Sequence, residues 1–67
     1  MLSARNHLKG VIDEVQHGDV VTHVTIRVGE SLLESIITRR SAEEMGLKKG
    51  DSVSAVVKAT EVMISKP

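Results

Sequence analysis

The sequence predicts an all-β domain, and three observations carry that prediction. Residues 20–28 alternate strictly, with Val20, Thr22, Val24, Ile26 and Val28 on one face and Val21, His23, Thr25 and Arg27 on the other. The residues with that period are β-branched, which suits a half-buried pleated surface. Four further short apolar runs are separated by Gly- or Asp-containing turns, and only one segment, near residues 41–47, breaks to a helical spacing.

Taken in order, Leu8 to Val15 is the first strand, with Gly10 as a bulge or close-approach point. Gln16-His17-Gly18-Asp19 is a hairpin turn in which Gly18 supplies a positive φ. Val20 to Val28 is the second strand, Gly29-Glu30 the next turn, and Ser31 to Thr38 the third strand. Ser41 then caps a helix of one or two turns, with Glu44 three residues on as a capping box requires. Met45 and Leu47 form its small apolar side, and Gly46 ends it. Lys48-Lys49-Gly50-Asp51 is a tight turn, and Ser52 to Lys58 is a fourth strand with Val53, Ala55 and Val57 inward. Glu61 to Ser65 is a short fifth strand. Five short strands with one small helix after the third match a barrel of the oligonucleotide/oligosaccharide-binding (OB) type.

With 67 residues, the chain is one domain, spanning 1–67. It contains no Phe, Tyr or Trp, so its core must be built from Val, Ile, Leu, Met and Ala. It contains no Cys, which removes disulfides and thiolate metal sites as staples. Small unstapled domains gain stability by association, so subunits that share a core are expected. Nine Lys and Arg balance nine Asp and Glu, which argues against a nucleic-acid-binding field over the whole surface. The missing aromatics remove the stacking platforms of single-strand binders. No run approaches the roughly 20 apolar residues of a membrane span, and no signal-peptide apolar region is present. A soluble cytoplasmic protein is expected.

Three segments set hydroxyls beside a fixed positive charge and contain no carboxylate: Ser3-Ala4-Arg5-Asn6, Thr38-Arg39-Arg40-Ser41 and Lys58-Ala59-Thr60. Each has a bland reading beside a functional one. Ser3 to Asn6 reads as a polar terminus, or as a hydroxyl, open N–H groups and a guanidinium fork. Ser41 reads as a helix cap between solvated arginines, or as part of an anion site at a helix start. Lys58 reads as an exposed strand-end lysine, or as a cation beside a small residue, Ala59, that lets a ligand approach the backbone, and the Thr60 hydroxyl. Donor-rich, acceptor-poor clusters of this kind suit a compact oxyanion. Enzymatic chemistry has no constellation behind it: there is no Gly-x-Ser-x-Gly elbow, no P-loop and no Gly-x-Gly-x-x-Gly. His7, His17 and His23 do not make a metal site within one chain.

In these segments the chain resembles the molbindin family, the Mop-type small molybdate/tungstate-binding proteins of the TOBE/Mop domain grouping. The resemblance covers essentially the whole chain. It rests on Ser3-Ala4-Arg5-Asn6 with Leu8-Lys9-Gly10, on Ile36-Ile37-Thr38 to Ser41, on Glu44-Met45-Gly46-Leu47, and on Ala55-Val56-Val57-Lys58-Ala59-Thr60. It implies an OB-type barrel whose dimers share strands, assembled as a hexamer (a trimer of dimers), with molybdate or tungstate bound between subunits and no organic cofactor. By motif it implies oxyanion-binding roles for Ser3, Arg5, Asn6, Thr38, Ser41, Lys58, Ala59 and Thr60. Arg39-Arg40 departs from the family, whose members often carry an apolar and an acidic or amide residue there. A nucleic-acid or protein-interaction module on the same fold is the competing expectation, motivated by Arg39-Arg40 and Lys48-Lys49.

Overall fold

The computed structural model describes residues 5–67. Its strands are β1 (Arg5–His17), β2 (Val21–Val28), β3 (Ser31–Thr38) and β4 (Ser52–Lys58), with α1 (Arg39–Met45) between β3 and β4. They form an antiparallel sheet of order β3-β2-β1-β4.

The 13-residue β1 organises the sheet. Its first half, Arg5 to Val11, pairs with β4, and its second half pairs with β2. Between the halves the register with β2 shifts from Ile12 to Glu14, so Asp13 is a bulge. Ile12 holds the bend from both sides: its N–H donates to Asp51 O at 2.9 Å and its carbonyl accepts from Gly50 N–H at 2.8 Å. Gly10 is the expected close-approach point, although the bulge itself falls three residues on. A Cβ at Gly10 would lie 2.6 Å from Arg27 O and 2.8 Å from Ile26 Cγ2. Backbone cannot give way as a side-chain tip can. Gly10→Ala is therefore expected to cost about 1–3 kcal/mol, read as a lower thermal midpoint with unchanged secondary structure by circular dichroism.

Ile12, Val24, Ile26 and Ala55 form the buried core, with Val15, Val28, Leu33, Ile37, Leu47 and Val53 packed around it. The alternation read from β2 holds from Thr22 onward, but Val20 lies in the turn and is exposed. Thr22 is fully buried and its hydroxyl is 3.0 Å from His17 Nδ1, so the polar group in this core is satisfied. β3 and β4 keep their expected limits.

Four expectations are corrected. Gly18 has no positive φ. It is needed for space, because its N–H donates to Val21 O at 2.8 Å and a Cβ would sit 2.8 Å from that same oxygen. The helix is capped by Thr38, not Ser41, and begins at Arg39 because Arg39 N–H donates across to Val20 O at 2.9 Å. Glu44 accordingly closes no capping box and bonds Arg40 instead, at 3.1 Å. The buried residue of α1 is Ala42, which the sequence reading did not single out; Leu47 packs against the core and Met45, though exposed, lines the same groove, and Gly46 ends the helix at φ 61°.

The last correction concerns the fifth strand and barrel closure. Ala59–Glu61 is a single 3-10 turn, and residues 62–67 form no strand. The sheet is open: residues 62–67 pair with neither of its edge strands, β3 and β4. Met63 and Ile64 are 93% and 94% exposed. On the core side of the sheet an apolar groove of about 440 Å³ stays uncovered, lined by Leu33, Ile37, Met45, Leu47, Val53 and Val57 among others. The radius of gyration, 12.9 Å, exceeds the roughly 11 Å of a compact chain this long. No helix among the described residues is long and apolar enough to cross a membrane.

Candidate functional site

The first and third hydroxyl-and-cation segments meet. Arg5 and Lys58 are register partners across β1 and β4, so their side chains leave the same face of the sheet. Directly opposite positions hold their Cβ atoms about 5 Å apart, where like charges repel. Asn6 pairs with Val57, and its Nδ2 donates to Val57 O at 3.4 Å. Lys58 then caps the 3-10 turn with no side-chain hydrogen bond to it. The first N–H groups of such a turn have no acceptor within it, and Ala59 and Thr60 are its first two residues.

The local sequence explains this cluster. No Asp or Glu occurs between Arg5 and Ile12 or between Ser52 and Lys58, so the paired segments themselves carry no carboxylate; Glu61 closes the 3-10 turn that follows Lys58. Period-two spacing also puts His7 and Lys9 on the Arg5 face, opposite Val56 and Ser54. The motif reading left these two out, although the 5-7-9 alternation was visible.

The middle segment is built differently. Ser41 N–H donates to Thr38 Oγ1 at 3.0 Å, and the Thr38 hydroxyl donates to Ser41 Oγ at 2.9 Å. The two hydroxyls are thus a bonded pair. Arg39 donates from Nη1 to Gly18 O and from Nε to Glu43, both at 3.3 Å. Arg40 donates to Glu44 within the helix. Seven residues make α1 too short for its N-terminus to be a site alone. Thr38→Ala is expected to cost about 1 kcal/mol through the lost cap, and Thr38→Ser to restore most of it, as read by thermal melting.

The two groups do not converge within one chain. Lys58 and Arg5 stand at the start of β1, whereas Thr38 pairs with Val21 beside the turn that follows its end. All 13 residues of β1 separate them, about 40 Å of strand measured along the chain. Ser3 lies outside the described residues. Among the described residues no group of three or more His, Asp or Glu is arranged to hold a metal ion.

The family model for the TOBE domain matches residues 2–64. A curated relative, molybdenum-pterin-binding protein 2 of Clostridium pasteurianum, is 44% identical over 64 residues that cover 94% of both chains. A solved molybdate binding protein from Sporomusa ovata superposes with a TM-score of 0.90 at 33% identity, covering 98% of each chain. The cytoplasmic molybdate-binding protein ModG, solved with molybdate bound, matches at a TM-score of 0.80 and 40% identity, over 88% of this chain and 43% of that one.

Proposed function

The chain belongs to the TOBE domain family, and from that premise we propose that it binds molybdate, or its isostere tungstate, as a non-enzymatic cytoplasmic store or buffer of the oxyanion. The observation that carries this reading is the pairing of Arg5 with Lys58 on one face, in strand segments that contain no carboxylate. Two cations opposite each other on one face favour a dianion between them. Arg5 supplies a planar fork of donors and Lys58 a point charge. The Thr60 hydroxyl and the N–H groups of Ala59 and Thr60 add neutral donors, Asn6 braces the strand end from the opposite face through its bond to Val57 O, and Ser3 is proposed to extend the set.

Such a site also discriminates. Molybdate and tungstate carry no proton at neutral pH and only accept hydrogen bonds. Protonated phosphate would favour a carboxylate acceptor, which none of the three segments supplies, and each unmatched buried polar group costs about 1–3 kcal/mol. Sulfate shares the charge and shape, so only pocket size and desolvation separate it.

In this reading residues 1–67 form one oxyanion-binding domain that a second copy completes. Thr38 and Ser41 of one copy face the Arg5–Lys58 pair of another. Support comes from the distance between the two groups within a chain and from the open sheet. It comes also from the uncovered groove and the exposed tail Val62-Met63-Ile64. A strand exchanged between copies supplies the fifth strand and closes each barrel, and three such dimers make a hexamer. No organic cofactor takes part.

Calorimetric titration of molybdate, tungstate, sulfate and phosphate into anion-free protein tests the proposal. Heat and a raised thermal midpoint with molybdate or tungstate are expected, and much weaker signals with phosphate. Absence of any oxyanion response, with a salt-dependent gel shift of short oligonucleotides instead, points to the competing nucleic-acid module.

A further inference from the structure

We propose that Arg39 is a positioning residue of the anion site and not one of its ligands: it ties the β1–β2 turn to α1 and thereby sets the Thr38–Ser41 hydroxyl pair. This inference rests on the oxyanion reading above. Arg39 immediately follows Thr38, and its charge invites assignment as an anion contact. Its bonds point elsewhere. Its N–H donates to Val20 O at 2.9 Å, its Nη1 to Gly18 O at 3.3 Å, and its Nε to Glu43 at 3.3 Å. Three anchors thus reach from one residue to the hairpin turn on one side and to the helix on the other.

The turn is a stiff anchor. Gly18 N–H donates to Val21 O, Gly18 has no room for a side chain, and Val21 is the register partner of Thr38. Movement of the turn therefore moves both the Gly18 carbonyl that Arg39 grips and the strand beside Thr38. A guanidinium can bridge two acceptors in one plane, whereas a lysine ammonium on a flexible stem cannot hold the same fork. Glu43 matters here as the group that orients the guanidinium. Arg40 differs: its side chain is 89% exposed, and it bonds Glu44 within the helix.

Glu43→Gln separates the two roles, because they predict opposite signs. If Arg39 contacted the anion, removing the Glu43 charge would free the cation and tighten binding. If Arg39 positions the hydroxyls, the same change loosens the tie and weakens binding. The Arg39–Glu43 pair is exposed, 43% and 58%, so its loss costs little global stability and an affinity change is not a folding artefact.

The experiment is calorimetric titration of sodium molybdate into wild type, Arg39→Lys, Arg39→Ala, Glu43→Gln and Arg40→Ala, each with an anion-free thermal midpoint. Arg39→Ala and Arg39→Lys are expected to weaken binding to a similar extent, roughly five- to tenfold, the scale of one lost hydrogen bond. Glu43→Gln should weaken it by a smaller factor, and Arg40→Ala should leave it unchanged. Wild-type affinity in Arg39→Lys, or tighter binding in Glu43→Gln, overturns the inference while the oxyanion reading stands. No heat with wild type overturns both.

Discussion

Arg5→Ala is expected to weaken molybdate binding by about a hundredfold or more, and Lys58→Ala by a similar factor, since a hydrogen bond to a charged group contributes about 1.5–3 kcal/mol and the lost cation adds to it. The two are register partners on one face, so each loss removes one of the two cations that meet at the strand end. Their effects should not add. Once either cation is gone, the remaining one no longer gains relief from like-charge repulsion, and the double variant should lose less than the product of the single losses. Arg5→Lys should recover part of the affinity, because charge returns without the fork. Both losses should exceed that of Arg39→Ala, whose guanidinium is engaged with Gly18 and Glu43. Equal losses at all three positions would remove the distinction between ligand and positioning roles.

The second large effect concerns the tail. Met63→Asp combined with Ile64→Asp is expected to weaken subunit association at least tenfold and to abolish molybdate binding at micromolar protein, as read by sedimentation and calorimetry. Both side chains are almost fully exposed in the single chain, so the substitutions cost the isolated fold little. In the assembly they would bury carboxylates against an apolar surface lined by Leu33, Ile37, Leu47 and Val53, which is strongly unfavourable without a partner for each charge. Unchanged sedimentation would show that the tail covers no partner groove.

Much of the fold was legible because β2, β3 and β4 follow the period of a half-buried sheet, and their turns carry Gly or Asp. What failed depended on tertiary context. The start of β1 at Arg5 was missed because Arg5, Asn6 and His7 are polar, and only pairing with β4 makes them a strand. Thr38 and Ser41 are both good caps three residues apart, and the choice between them is made by the Arg39 N–H bond to Val20, which no local pattern encodes. Gly18 was read for its φ when its lack of a Cβ was what mattered. Residues 61–65 have strand-like sequence, yet a strand exists only by pairing, and this segment pairs with neither edge strand of the described chain. The candidate site followed the same division. The chemistry of each segment was readable residue by residue, and Arg5 and Lys58 do come together, whereas Asn6, one residue on, leaves the opposite face and donates to Val57 O. That Thr38 and Ser41 stand at the far end of β1 could not be read without the register.

The central claim is that the oxyanion lies between copies, and subunit complementation tests it most directly. Arg5→Ala chains and Ser41→Ala chains are each titrated with molybdate alone, then unfolded together, refolded as a mixture and titrated again. Sites shared between copies predict little binding for either variant alone and recovered high-affinity binding in the mixture, since some sites then combine an intact Arg5 from one chain with an intact Ser41 from another. No recovery from a mixture shown to contain both chains in one assembly would contradict the shared site.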